Sequence, residues 1–244
     1  MLKTIRKIRR EAFFLDIHLS KISKSYSDSN THRSLFKDMD ARFESGSFNV
    51  IIGRSGVGKS SLLNLISGID LPDRGKILMD DSDLTAMGDS GRTVFRRKHI
   101  GFIYQFFNLI PVLTVRENVT LICELDGKPR KTYQDRADQL LETVGLYDRR
   151  NDYPDTLSGG EQQRVAIVRS LVIEPQIILA DEPTGNLDLE TGRLILEMIA
   201  QLTQKNGQTL VMVTHSPEAV NYADRVFRVE NQTLVVQPSL YSKD

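Results

Sequence analysis

Residues 53–60 read Gly-Arg-Ser-Gly-Val-Gly-Lys-Ser. The spacing GxxxxGK[ST] suits the holding of a run of anionic oxygens. Its glycines let several backbone N–H groups turn inward as a nest for phosphate. Residues 48–52, Phe-Asn-Val-Ile-Ile, read as a buried strand entering the loop, and residues 61–68 as a short amphipathic helix with a glycine C-cap. The positive end of that helix adds to the attraction. In such a phosphate-binding loop Lys59 reaches the β- and γ-phosphates and Ser60 offers its hydroxyl to Mg²⁺. Arg54, Ser55, Gly56, Val57, Gly58 and Ser61 complete the lining.

A second group is Asp181-Glu182, placed directly after the apolar run Ile177-Ile178-Leu179-Ala180. Asp181 suits a Mg²⁺ partner at a strand end. Glu182 is expected to face elsewhere, because successive strand residues alternate faces. There it would polarise a water aimed at the γ-phosphate, a role that typically contributes roughly 10²–10⁴-fold in rate.

A third is Leu-Ser-Gly-Gly-Glu-Gln-Gln-Arg at residues 157–164. Ser158 and Glu161 form a capping box, and Val165, Val168, Leu171 and Val172 follow at helical spacing until Pro175. The cap accounts for the serine and the glutamate. It does not account for Gly159 and Gly160, which weaken a helix. Neither glycine is assigned a packing role. Two glycines at the first helical positions expose N–H groups at the positive end of the dipole, a second anion site on the same chain. One nucleotide does not need two such sites. A dimer resolves the surplus, with this helix capping the phosphate held by the other chain's loop.

These motifs, in this order, resemble those of the ATP-binding-cassette (ABC) ATPases over nearly the whole chain, from about residue 15 to 235. Tyr26 matches the aromatic residue that stacks on adenine, which implies a loose nucleotide preference. Gln105, in Ile103-Tyr104-Gln105-Phe106-Phe107, matches the glutamine that contacts Mg²⁺ and water and couples to a membrane partner. Ser158, Gly159, Gly160 and Glu161 match the signature, Asp181 and Glu182 the metal aspartate and catalytic glutamate, Asp188 the dimer-contact loop, and His215 the switch histidine that holds the γ-phosphate. The catalytic set so implied is Lys59, Gln105, Glu182 and His215; the metal set is Ser60, Gln105 and Asp181. Residues 104–119 and 179–188 look like the subgroup that includes lipoprotein-releasing ATPases, macrolide and peptide exporters and a cell-division complex. The sequence departs from it at Ile167-Val168-Arg169-Ser170, where alanines usually flank the arginine, and at Leu189-Glu190.

The resemblance implies an α/β fold: a P-loop NTPase (RecA-like) core with a mostly parallel sheet, an antiparallel β subdomain and an inserted α-helical subdomain at about 106–165. It places one domain at 15–237, between a basic extension at 1–14 and a tail at 238–244. It also implies ATP and Mg²⁺, a head-to-tail homodimer, and a separately encoded transmembrane permease. The expected location is the cytoplasmic face of the inner membrane, as a peripheral subunit. Phe106, Phe107, Leu109 and Ile110 are candidate permease-docking residues or core of the helical lobe.

The elements that position these groups are legible in outline. After residue 47, β-rich runs alternate with helical patterns, which suggests a parallel sheet flanked by helices. Residues 76–150 are richer in charge and polar turns and read as inserted, with a helix near 131–144 marked by Ala137, Leu140, Leu141 and Val144. A third buried strand, residues 209–214, ends at His215. With 32 basic and 32 acidic residues, net charge is zero, which argues against bulk electrostatic binding of nucleic acid. The single cysteine, Cys123, has apolar neighbours and reads as a buried hydrophobe. No apolar run approaches the roughly 18 residues that span a bilayer. Lys3, Arg6, Lys7, Arg9 and Arg10 make the N-terminal segment either a solvated tail or an amphipathic stretch for an anionic membrane. His18, His32 and His99 are assigned no role.

Overall fold

The computed structural model describes residues 15–28 and 31–237; the N-terminal extension and the C-terminal tail, and the expectations placed on them, lie outside the described residues. Two long strands, β1 (Ile17–Asp28) and β2 (Thr31–Phe43), form an antiparallel pair. β3 (Phe48–Ile52) feeds the glycine-rich loop and helix α1 (Lys59–Ile66). β4 (Arg74–Met79) and β5 (Ser82–Asp83) then complete an antiparallel sheet in the order β2-β1-β4-β5. Helix α2 (Asp89–His99) runs into β6 (Ile100–Tyr104). Three helices follow: α3 (Val115–Leu125), α4 (Arg130–Thr143) and α5 (Gly159–Leu171). β7 (Ile177–Asp181), α6 (Leu189–Asn206), β8 (Thr209–Val213), β9 (Arg225–Glu230) and β10 (Thr233–Val236) complete the order.

The second sheet has the order β10-β9-β3-β8-β7-β6. Its strands run parallel except β10, which pairs antiparallel with β9 at the edge. Strands apolar on both faces must be covered twice, and this sheet is. Val50, Ile178, Ala180, Leu210 and Met212 face a core made with α3, α4, α5 and α6. Their sequence neighbours Ile51, Ile177, Leu179, Val211 and Val213 face the opposite core, made with α1 and the inner face of the antiparallel sheet. The period-2 alternation of strand side chains thus sorts each strand between two cores.

One close approach fixes the layers. At Gly101 on β6, an added Cβ would lie 2.4 Å from the Ser170 carbonyl oxygen and 2.7 Å from Ile178 Cδ1. Helix α5 therefore rests directly on the strand. The Gly101→Ala variant is expected to lose about 1–3 kcal/mol of stability, the usual cost of overpacking. Urea unfolding at constant slope would measure it, and an unchanged midpoint would mean that α5 can move away freely.

The span read as inserted, residues 76–150, is too wide. Its first part belongs to β4 and β5 of the antiparallel sheet, and residues 100–104 form β6 of the parallel sheet. Charged, turn-rich sequence there reflects short exposed elements such as α2, where only Phe95 is buried, and not a separate lobe. The helical patterns themselves fall where expected, α4 within a residue at each end. Cys123 is fully buried, and burial pushes its thiol pKa up.

Candidate nucleotide site

The groups singled out by chemistry gather at the carboxyl ends of the parallel strands, the crevice where open α/β sheets bind ligands. The loop after β3, Gln105 after β6, Asp181 at the end of β7 and His215 after β8 line one cleft of about 730 Å³, together with Tyr26 from β1 and Arg33 from β2. Gly58 precedes α1 with φ +102°, a left-handed conformation that favours glycine. No side chain caps the N-terminus of α1, so its first N–H groups are left to the cleft.

Lys59 is only 6% exposed, yet its ammonium faces this cleft. It donates to the carbonyls of Gly53 at 3.0 Å and Arg54 at 3.3 Å, lies 2.9 Å from His215 Nε2, and approaches Glu182 Oε1 at 3.8 Å. Glu182 Oε1 is 3.3 Å from His215 Nε2, and its other oxygen accepts from the His215 backbone N–H at 2.9 Å. Lysine, glutamate and histidine thus converge from three parts of the chain.

Glu182 does not leave the cleft by strand alternation, as the sequence suggested. The strand ends at Asp181, and Glu182 takes a left-handed backbone with φ +46°. That turn brings both carboxylates to the same cleft. Asp181 Oδ1 accepts from the Ser60 hydroxyl at 3.1 Å. Burial pushes the Asp181 carboxyl pKa up, the Ser60 hydrogen bond opposes this, and the adjacent negative Glu182 adds to it. The raised value means that ionisation weakens the fold as pH rises through the carboxylate range. Asp181→Asn is therefore expected to raise the melting temperature of the nucleotide-free protein at pH values above the carboxylate range. A lowered melting point in a thermal scan would contradict the desolvation account.

Gln105 and Asn186 exchange hydrogen bonds: Gln105 Nε2 donates to Asn186 Oδ1, and Asn186 Nδ2 donates to the Gln105 carbonyl, both at 3.1 Å. The loop after β7 therefore holds the loop after β6. Among the described residues, no cluster of three or more His, Cys, Asp or Glu side chains could hold a metal. Ser60 and Asp181 nevertheless fit Mg²⁺, a hard cation bound through oxygen. The two oxygens adjoin at 3.1 Å.

The capped helix expected to form a second anion site lies apart. Ser158 caps α5 through the expected box with Glu161, and Arg149 Nη1 donates to Glu161 at 3.0 Å. Ser158, Gly159 and Gly160 border a separate cleft of about 400 Å³ with Arg164, Asp188 and Thr191, sharing none of the lining residues of the first. Asp188 caps α6 by accepting from the Thr191 N–H at 3.0 Å. Buried Gln163 of α5 donates to the Pro183 carbonyl at 2.7 Å, which links the signature helix to the turn after Glu182.

The expectation that neither glycine packs fails for Gly160. An added Cβ there would lie 2.7 Å from Thr191 Cγ2, so α5 and α6 approach too closely for a side chain. Gly159 is looser, with Leu187 at 3.4 Å. The four docking candidates divide. Phe106, 68% exposed, and Ile110 face outward, while Leu109 packs against the core and Phe107 lies near Gly159. Arg169, within the segment that departs from the subgroup, donates to the carbonyls of Phe107 and Asn108.

Arg33 escaped the sequence reading. It is the direct cross-strand partner of Tyr26, and its guanidinium donates to the Gly56 carbonyl. Nothing local marks it, because its place follows from strand register.

A protein-family profile described as ABC transporter matches residues 36–185. The chain is 47% identical over 219 residues to an uncharacterized ABC transporter ATP-binding protein of Mycobacterium tuberculosis, covering 90% of this chain and 88% of the relative. It is 40% identical to the lipoprotein-releasing system ATP-binding protein LolD of Shewanella oneidensis, covering 91% and 97%. It is 38% identical to the bacitracin export ATP-binding protein BceA of Halalkalibacterium halodurans, covering 91% and 87%. Among solved structures, the dimeric bacterial ABC transporter cassette MJ0796 superposes with a TM-score of 0.83 at 35% identity, over 93% of this chain and all of that one. The same cassette in a post-hydrolysis dimer bound to ADP and phosphate gives 0.82. The phosphate-binding loop, the paired carboxylates and the capped signature helix therefore belong to an ATP-hydrolysing subunit, and the chain is a member of the ABC transporter ATPase family.

Proposed function

We propose that two copies of this chain sandwich two ATP molecules head to tail, and that closing and opening of the pair drives a separate membrane subunit. The observation that carries the reading is the separation of the two anion sites within one chain: the cradle with Lys59 and Ser60 in one cleft, Ser158 to Gly160 in another. Each nucleotide then needs the cradle of one chain and the signature of the other. The dimeric state of the cassette MJ0796 supports this.

In this reading Tyr26 stacks on the base, and the backbone of residues 53–58 and Lys59 bind the phosphates. Ser60, Asp181 and Gln105 would hold Mg²⁺, which supplies charge neutralisation between the phosphates when bound. Glu182 takes a proton from the attacking water, His215 holds the γ-phosphate, and Asp188 meets the partner across the interface. Nucleotide binding must draw Lys59 from Glu182 and His215, which frees both for the water. The exposed Phe106 and Ile110, beside Gln105, form the docking surface for the permease. In this reading the chain is a peripheral subunit at the cytoplasmic face; among the described residues no helix is long and apolar enough to cross a membrane. The transporter names of the relatives favour it over a cassette acting on nucleic acid or ribosomes.

A mixing experiment tests shared ownership. Lys59→Ala and Gly160→Asp should each be inactive alone. In a mixed dimer, the intact cradle of the Gly160 variant meets the intact signature of the Lys59 variant, and phosphate release should reappear. A mixture as silent as its components would refute the composite site.

A further inference from the structure

Lys24 is a charged side chain only 8% exposed, outside every motif described above. Its ammonium donates to Asp70 Oδ1 at 2.7 Å and to the Leu71 carbonyl at 2.8 Å. A buried cation is retained at this cost only when well partnered. It also lies 4.9 Å from the centroid of the Tyr26 ring, in cation–π range. The other oxygen of Asp70 accepts from the Tyr26 hydroxyl at 2.5 Å. One carboxylate therefore ties both side chains. Burial, followed by the Asp70 bond, pushes the phenol pKa up, and the Lys24 and Tyr26 bonds bring the Asp70 carboxyl down against its burial.

The position of Asp70 gives this cluster its meaning. Its backbone N–H donates to the Asn64 carbonyl within α1, so Asp70 is anchored to the helix that starts at the phosphate cradle. Lys24 and Tyr26 belong to β1 of the antiparallel sheet. Asp73 reinforces the link by accepting from both the backbone N–H and the hydroxyl of Ser25 at 2.7 Å. Tyr26 remains 43% exposed toward the cleft.

We infer that Asp70 and Lys24 are positioning residues that lock the Tyr26 ring at a fixed distance from the phosphate cradle, so that base and triphosphate engage together. The inference rests on the reading that Tyr26 stacks on the base. Pre-organisation of this kind lowers the ordering cost of binding, and only for ligands that carry a base. Lys24 holds one part of the ring while the exposed part is left for the nucleotide.

The experiment compares Mg-ATP with Mg-tripolyphosphate, which shares the phosphates and lacks the base, by isothermal titration. Tyr26→Phe keeps the ring and deletes the hydroxyl, with its bond to Asp70 and its weaker contact with Ser61. It should weaken ATP about tenfold, as expected for a lost hydrogen bond to a charged group, and leave tripolyphosphate unchanged. Lys24→Met should show the same split, and Lys24→Arg should restore part of the ATP affinity. Tyr26→Ala, which removes the platform itself, should weaken ATP by about 10- to 100-fold. If Tyr26→Ala weakens ATP while Tyr26→Phe and Lys24→Met do not, stacking stands and the positioning role is overturned. If Tyr26→Ala leaves ATP binding untouched, the platform reading falls and this inference falls with it. Equal loss of both ligands in Tyr26→Phe would show general damage to the fold and would equally overturn it.

Discussion

Replacing Glu182 with glutamine is expected to slow steady-state ATP hydrolysis by roughly 10²–10⁴-fold, the range for loss of a general base, while ATP still binds. The substitution is nearly isosteric. Glutamine retains an oxygen to accept from the His215 N–H, now 2.9 Å from Glu182 Oε2. The left-handed backbone at φ +46° imposes the same strain on either residue. What disappears is the negative charge facing Lys59 at 3.8 Å and the ability to take a proton. Loss of that charge removes a competitor for Lys59, so ATP affinity should hold or rise. The variant should therefore collect as an ATP-loaded dimer, measured by light scattering with and without ATP, alongside single-turnover phosphate release. Near-normal turnover would move the base elsewhere. Loss of ATP binding would instead make Glu182 a structural partner of Lys59.

Why Glu182 is legible in the sequence, and the turn that aims it is not, is a matter of range. Residues 53–60 carry their chemistry in consecutive positions, and the backbone of eight residues builds most of the cradle. The capping box at Ser158 and Glu161 is equally local. Strand faces were legible for the same reason: in β7 and β8 the apolar residues simply alternate between two cores. The features that escaped depend on which distant segments meet. Arg33 reaches the cleft because it pairs with Tyr26 across β1 and β2. Asp70 matters because the chain after α1 folds back to β1. The bounds of the inserted span are not legible, because a charged segment such as α2 looks alike whether it edges a sheet or forms its own lobe. An acid pair after an apolar strand marks the chemistry of Glu182, but strand alternation gives the wrong direction because the strand ends at Asp181. The turn that sets it was not visible in an apolar run followed by Asp-Glu-Pro.

Gly160→Asp is expected to abolish turnover, and the structure adds a second cause to the one the sequence suggested. In a composite site, the carboxylate would lie at the positive end of α5, where the partner's γ-phosphate must come, and like charges repel strongly in a site that excludes water. The new Cβ would also meet Thr191 Cγ2 at 2.7 Å, pressing α5 from α6 and disturbing the cap that Asp188 makes to Thr191. Overpacking of this kind costs about 1–3 kcal/mol, so the aspartate alone cannot separate charge from crowding. Gly160→Ala supplies the crowding without the charge, and combining it with Thr191→Ser deletes the opposing methyl. If charge dominates, the Ala–Ser pair should recover most of the hydrolysis rate, while an Asp–Ser pair stays inactive. Both pairs should melt close to the unmodified protein and bind ATP as monomers, because the cradle lies in another cleft. If the Asp–Ser pair were as active as the Ala–Ser pair, the helix terminus would face no phosphate, and Gly160 would be explained by the contact between α5 and α6 alone.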